Sequence, residues 1–375
     1  MSILDKVKKN TKAGKGMIET LDKSMYLNEK CNTPTIMPVL NLALSGELDS
    51  GIEGGVTIFA GPSKHFKSNL ALLCVKSYLD RYSDAACLFL DNEFGINHDY
   101  INNMGIDASR MIHIPFDTVE NLRNEISAQL DGLVRGDKLI LLVDSIGNVA
   151  SQKEMSDAED DKVAADMGSR AKALKSLFRV ITVKSKIKDI PIVMINQTYS
   201  SQGMFPKDVM SGGSSGMYAA DSVIFLTRAQ EKQGTDITGY TFTMKVEKGR
   251  RVKEASKLKF TALFDKGVLL YSGLLDIALA TGHVIKPSVG WYAKASDQSR
   301  KYRESEIQES NEFWQDILAD EKFQKACKKL FKLETPKDDD VERLINGLAN
   351  SEKLFKPKTP KDDELEDDIA LGDTE

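Results

Sequence analysis

The stretch IFAGPSKHFKSN, residues 58–69, decides how the rest of the chain is read. It fits the phosphate-loop pattern G-x-x-x-x-G-K-[ST] at Gly61, Lys67 and Ser68, with Phe66 in the place of the second glycine. A glycine, five free positions, a lysine and a hydroxyl residue arise by chance in roughly one chain of this length in four, from average residue usage. The loop letters alone therefore settle nothing, and the neighbours decide. GGVTIFAG is an apolar run of strand length; KSNLALLCVKSYLDRY places Leu70, Leu73, Val75 and Leu79 near helical spacing. A loop between strand and helix aims backbone N–H groups and the positive end of the helix dipole at one spot, which suits a phosphate. On this reading Gly61, Pro62, Ser63, Lys64, His65, Phe66, Lys67, Ser68 and Asn69 line a nucleotide site, with Lys67 on the outer phosphates and Ser68 on magnesium. Phe66 is compatible with it only if its backbone angles stay allowed and its ring turns away from the nucleotide. The plainer alternative is an ordinary strand–turn–helix with a surface lysine.

The alternation continues outward. AACLFLD, KLILLVDS and IPIVMIN read as buried strands, and TVENLRNEISAQLDGLV and residues 162–183 as helices. Continuous apolar strands separated by helices predict a parallel sheet covered on both faces. After residue 215, SVIFLTR, YTFTMKVE and KLKFTALF read as consecutive strands that extend the same sheet antiparallel. The fold class expected is α/β: a phosphate-loop core with a mostly parallel central sheet, a short N-terminal helix and a small α+β C-terminal domain. The organisation expected is helix and linker over 1–34, core over 35–269, C-terminal domain over 270–350 with one amphipathic helix EFWQDILADEKFQKACKKLF, and a tail over 351–375.

Two further elements carry chemistry. KLILLVDS ends in Asp144, a carboxylate at the C-terminal end of a buried strand, where it suits magnesium or, equally, a helix cap. CLFLDNEFGI carries Asp91 and Glu93 after another buried strand, at the end where open α/β sheets bind ligands. A glutamate there suits a general base; spacing alone favours a solvated loop carboxylate.

The 375 residues carry a net charge of −5, with 41% hydrophobic and 29% charged residues, the profile of a globular protein with a sizeable core. Cys31, Cys74, Cys87 and Cys327 lie far apart and the four histidines show no ligand spacing, so neither a zinc site nor a disulfide framework is expected. No apolar run spans a bilayer and no secretory leader is visible, so no membrane partner is expected. Residues 361–375, KDDELEDDIALGDTE, hold eight acids and one lysine, net −7, which leaves −5 + 7 = +2 on residues 1–360. Such a tail is a solubilising end or a competitor for a basic DNA-binding surface.

Taken in order, AGPSKHFKSN, LFLDNEFGINHDYINNMGID, LLVDSIGNVA, MINQTY, SGGSSGMYAADSV and VEKGRRVKE resemble the RecA family, in its bacteriophage branch. The resemblance spans residues 35–295 and includes GWYA near the start of the C-terminal domain. A phage member of the family also carries phenylalanine at the second loop glycine. The resemblance implies an ATP- and Mg2+-dependent recombinase that forms a helical filament on single-stranded DNA, pairs it with homologous duplex DNA and exchanges strands. It implies Lys67 on the β- and γ-phosphates, Ser68 and Asp144 at the metal, Glu93 activating water, and Tyr100 stacked on adenine. Gln197 would sense the γ-phosphate, and Lys248 and Arg250 would reach the neighbouring subunit's ATP. Asn97 stands where many relatives place an aspartate near the base.

The resemblance also implies two DNA loops. The second covers 198–215, with Met204 and Phe205 as wedges between bases, Lys207 on phosphate, and Gly212 and Gly213 in its closing arm. The first covers 151–166 and holds six acids, a poor composition for DNA, so Arg170, Lys172 and Lys175 just beyond it are the expected contacts. The implied partners are the two DNA forms, further copies of the chain, a recombination mediator and a single-strand-binding protein. The implied location is the cytoplasm of an infected bacterial host. A second reading is a nucleotide-gated filament scaffold that hydrolyses little because Phe66 spoils catalysis. A hexameric helicase motor fits less well, because it leaves the N-terminal helix and the GWYA region unexplained.

Overall fold

The computed structural model describes residues 1–13, 18–28, 30–159, 168–201 and 207–334. Met204, Phe205 and the acidic tail lie outside the described residues. A nine-stranded sheet is built from β1 Gly55–Ala60, β2 Ala86–Asp91, β3 Met111–Pro115, β4 Leu139–Asp144, β5 Pro191–Asn196, β6 Ser222–Gln233, β7 Asp236–Gly249, β8 Lys257–Leu263 and β9 Gly267–Leu269. Its order is β9-β8-β7-β6-β1-β5-β4-β2-β3. β6, β1, β5, β4, β2 and β3 run parallel, and β7, β8 and β9 join antiparallel at one edge. SVIFLTR departs from its expected place in the antiparallel extension. Ser222–Phe225 pair parallel with Thr57–Ala60, so β6 is the hinge between the two halves of the sheet.

The helices are α1 Ile3–Asn10, α2 Lys67–Arg81, α3 Val119–Gly132 and α4 Ser169–Lys188. Alternate residues of β1 explain the layering. Phe59 packs with Leu70, Leu73 and Val75 of α2 on one face, while Ile58 packs with Leu122 and Ile126 of α3 and Leu177 and Ile181 of α4 on the other. Both faces are dry, which is why these strands read as unbroken apolar runs.

Several boundaries differ from expectation. Of the helix expected over 162–183, residues 162–167 lie outside the described residues and 169–183 fall in α4, which runs on to Lys188; a separate helix Gln152–Glu159 lies within the expected first loop. β3 is an additional strand: at the sheet edge its Ile112 and His113 are exposed, so it lacks the apolar run that marks its neighbours. The expected single helix near the C-terminus is two, Asn311–Ala319 and Glu321–Phe331. Asp320 ends the first and its carboxylate accepts from Lys322 N at 2.8 Å, capping the second. These helices and the antiparallel strands Val284–Ser288, Trp291–Lys294 and Asp297–Tyr302 form the C-terminal part of the unit Met1–Leu333. Its Phe313, Trp314 and Phe323 are fully buried in the core on the α2 side of the sheet. Among the described residues no helix is long and apolar enough to cross a membrane.

Candidate nucleotide and DNA site

The loop from Gly61 to Phe66 joins the end of β1 to the start of α2. Phe66 sits at φ 63° and ψ 15°, and Lys64 at φ 61°. Phe66 thus adopts the left-handed backbone that a glycine takes freely, at a cost of roughly 1–2 kcal/mol for a residue with a Cβ. Its ring lies 5.1 Å from Phe242 and 5.6 Å from Phe260, which stack on each other at 5.1 Å. Such pairs contribute about 0.5–1.5 kcal/mol each beyond their buried area, enough to offset the backbone cost. The ring therefore points into the core. Gly61 is required for a different reason: a Cβ there would lie 2.8 Å from the Leu226 carbonyl oxygen of β6. α2 starts with no side-chain cap, whereas Thr118 caps α3 by accepting from Asn121 N at 3.3 Å. The first-turn N–H groups of α2 are thus without a capping side chain, as an anion site needs.

Lys67 is buried, and its Nζ donates to the Pro62 carbonyl at 2.7 Å. Burial pulls its pKa below the ordinary lysine value, against the opposing pull of Glu93 and Asp144. Ser68 Oγ donates to Asp144 Oδ2 at 2.8 Å, and Asp144 Oδ1 is buried without a hydrogen-bond partner among the described residues. Burial raises the Asp144 pKa to about 6, with Glu93 and Asp91 adding to the shift and Ser68 and Lys67 opposing it. A hydroxyl beside a dehydrated, half-satisfied carboxylate is a donor set that suits Mg2+ sharing its other positions with phosphates and water.

Glu93 follows β2. Its backbone N–H donates to Asp91 Oδ1 at 2.9 Å and that of Phe94 to the same atom at 3.0 Å, so buried Asp91 shapes the turn. The Glu93 Oε1 accepts from Ser145 Oγ and, at 3.4 Å, from Gln197 Nε2. Gln197 stands just past β5, and its carbonyl accepts from Ser211 N at 2.9 Å. A Cβ on Gly147 would fall 2.8 Å from Gln197 Cγ, so the glycine gives that side chain room. Tyr100 is half-buried with its hydroxyl accepting from Asn69 Nδ2, and burial raises its pKa. Asn97 caps the helix His98–Asn103, accepting from Tyr100 N at 2.9 Å. The structure thus brings Lys67, Ser68, Asp144, Glu93 and Gln197 together. Asp91 as a turn former and Ser145 as a brace went unrecognised in the sequence, because a short polar residue after a strand carries no signal of its partner.

Lys248 and Arg250 are elsewhere. Lys248 pairs with Val223 in β6, and Arg250 N donates to the Asp221 carbonyl, while Asp221 N donates to Val56. Val56 is the second residue of β1 and Ala60 the last, so Arg250 lies at the opposite end of the sheet from the phosphate loop. There Lys248 Nζ donates to the carbonyls of Met217 and Tyr218 at 2.9 and 2.6 Å, and Arg250 pairs with Asp221. Burial and neighbouring Arg250 lower the Lys248 pKa.

Around the expected DNA loops, Thr198–Ser200 pairs with Asp208–Met210 as a hairpin stem. Lys207 is exposed beside it. Arg170 turns inward, donating to the Ile146 carbonyl and Ser211 Oγ at 3.1 Å each, and braces the loop after β4. Lys172 is exposed on α4. Gly212 (φ 83°) cannot take a Cβ, which would strike Leu174, while Gly213 has open space around it. A cavity of about 490 Å³ beside them is lined by Lys175, Arg179, Gly212, Gly213 and Tyr218. Arg179 escaped the sequence reading, although its i+4 spacing from Lys175 puts both on one face of α4.

The family described as RecA N-terminal domain matches residues 2–269. The family described as Bacteriophage T4, Recombination and repair protein, C-terminal domain matches residues 271–327. The recombination and repair protein of Enterobacteria phage T4 is 43% identical over 341 residues, covering 88% of this chain and 87% of its own. The RecA protein of Syntrophus aciditrophicus is 25% identical over 78% of this chain and 83% of its own, and that of Nostoc 27% over 81% and 83%. The chain belongs to the RecA family of recombinases, with the nucleotide and magnesium dependence and the DNA-binding, filament-forming character of that family.

Proposed function

We propose that the protein is a DNA-dependent ATPase of phosphate-loop type that assembles on single-stranded DNA, pairs it with homologous duplex and exchanges strands. The observation that carries this reading is the half-satisfied Asp144 carboxylate beside Ser68 at an uncapped helix start, with Glu93 held next to it. Lys67 leaves the Pro62 carbonyl for the β- and γ-phosphates. Ser68 and Asp144 would hold magnesium, which would supply charge neutralisation at the phosphates. Glu93, with Oε1 held by Ser145 and Gln197, takes the proton of the attacking water through Oε2. Tyr100 offers a stacking face to the base. Gln197 touches both Glu93 and the arm of the second DNA loop, so its position reports the γ-phosphate to DNA.

Lys248 and Arg250 cannot serve their own phosphate loop from the far end of the sheet, and they complete a neighbour's site. In this reading 1–34 is a polymerisation helix with its linker, 35–269 the ATPase core, 270–350 the C-terminal domain and 351–375 an acidic tail. Met204, Phe205, Lys207, Lys172 and the Gly212–Gly213 arm contact DNA, with Arg170 supporting them from within. A mediator and a single-strand-binding protein are the proposed further partners, in the cytoplasm of an infected bacterium. The low-hydrolysis scaffold drew its motive from Phe66, and a ring packed, partly buried, against Phe242 and Phe260 leaves the phosphate side clear. Phosphate release with and without single-stranded DNA tests the function. Turnover should rise strongly with DNA, and a rate indifferent to DNA contradicts it.

A further inference from the structure

The phosphate loop is backed by β6, and one side chain of that strand reaches it. Arg228 donates from its terminal nitrogen to the Lys64 carbonyl at 3.0 Å. Lys64 is one of the two loop residues held at positive φ, so this bond falls on a peptide that the chain does not adopt unaided. The guanidinium is seated 4.3 Å above the Tyr240 ring. Arg228 stands opposite Phe242 in the β6–β7 register, so Tyr240 is its diagonal neighbour on the same face. Tyr240 in turn contacts Phe242 at 6.1 Å and Phe264 at 5.7 Å. A planar, always charged fork on an aromatic platform is an arrangement a lysine cannot reproduce.

We propose that Arg228 is a positioning residue for the nucleotide: seated on Tyr240, it fixes the Lys64 peptide and so the curl of the phosphate loop. It acts through the loop backbone. The inference rests on the nucleotide reading above and assigns to Arg228 a role distinct from that of the basic residues near DNA. Tyr240 enters only as the seat of Arg228, so its contribution should vanish when Arg228 is gone.

The test uses the full-length chain and a fluorescent ATP analogue with Mg2+, without DNA, together with single-stranded DNA affinity at saturating nucleotide and the melting temperature. R228A should weaken analogue binding about tenfold, the scale of one charge-assisted hydrogen bond. R228K should recover little of this, and Y240L should weaken binding by a smaller factor. The R228A/Y240L double variant should bind as R228A does, and DNA affinity at saturating nucleotide and melting temperature should stay near wild type. Wild-type nucleotide affinity in R228A, full rescue by R228K, or full additivity in the double variant overturns the proposal. So does a loss of DNA affinity with nucleotide binding intact, which makes Arg228 a DNA contact. If the wild-type chain itself binds no analogue, the nucleotide reading falls with it, an outcome distinct from all of these.

Discussion

The two ends of the central sheet are built on opposite principles. At the end where β1, β2, β4 and β5 finish, the polar groups are mutually braced around buried Lys67, Asp144 and Ser145: Lys67 on Pro62, Ser68 on Asp144, and the more exposed Glu93 between Ser145 and Gln197. At the other end Lys248 is half-buried and Arg250 is exposed; Lys248 rests on its own subunit's carbonyls and Arg250 on Asp221. On the proposed reading the first end is a nucleotide site whose side chains already hold one another in place. The second is a pair of cations at the opposite end of the sheet from their own phosphate loop, Arg250 paired with Asp221. If the site is divided in this way, hydrolysis is tied to assembly, because the isolated subunit would lack the groups that stabilise charge developing in the transition state.

The comparison can be broken at either end. The largest effect belongs to Lys67. Lys67→Ala should drop DNA-stimulated phosphate release by about 10³-fold or more, since it removes the buried cation of the phosphate loop. Activity near wild type would reduce the loop to an ordinary turn. Next comes the far end. Replacing Lys248 and Arg250 together with alanine should lower hydrolysis by about 10²- to 10³-fold while leaving nucleotide binding by the dispersed subunit unchanged. Loss of that binding would place the pair in its own subunit's site.

A smaller effect sharpens what the braced end costs. The Asp144 carboxyl is raised from 3.8 to about 6, so the folded chain holds that proton more tightly than the unfolded one. The linkage favours folding below about pH 4 and is lost as the pH rises through about 6. Without Mg2+ and nucleotide, Asp144→Asn should therefore raise the melting temperature by a few degrees at pH 8 and leave it nearly unchanged at pH 4. It should also abolish the stabilisation by Mg2+ and ATP together. A destabilised variant at pH 8 would mean that the charged form is already satisfied. The smallest effect on the subunit concerns α1. Its Ile3, Leu4 and Val7 are exposed and it buries no residue, so removing residues 1–30 should leave melting nearly unaltered yet keep the protein monomeric by sedimentation on DNA-free and DNA-bound samples. Filaments formed by the truncated chain would reassign that helix.

How much of this the sequence disclosed follows from what local patterns encode. Apolar runs in β1, β2, β4 and β5 announce themselves because both faces of the sheet are covered; β3 does not, because an edge strand needs no such run. The break at Asp320 is hidden inside a continuous amphipathic pattern, since a helix cap and a solvent-facing aspartate look alike in one dimension. The site residues after strands were legible as types at places. Their bracing was not: that Phe66 would seat on Phe242 and Phe260, or Arg228 on Tyr240, depends on strands that meet the loop only through the sheet order. Phe66 is the clearest instance. The sequence posed it as a defect, and the fold turns the ring into the core while keeping the glycine-like backbone.

The central claim is that one nucleotide is served by two copies of the chain, and mixing two inactive proteins tests it most directly. Lys67→Ala supplies an intact basic pair and no phosphate loop, and the Lys248→Ala/Arg250→Ala protein supplies the converse. On single-stranded DNA the mixture should recover a sizeable fraction of wild-type phosphate release, because every junction that sets the first protein's cations against the second protein's loop is complete. A mixture as inactive as its components, while electron micrographs show both incorporated in the same filaments, would contradict the shared site.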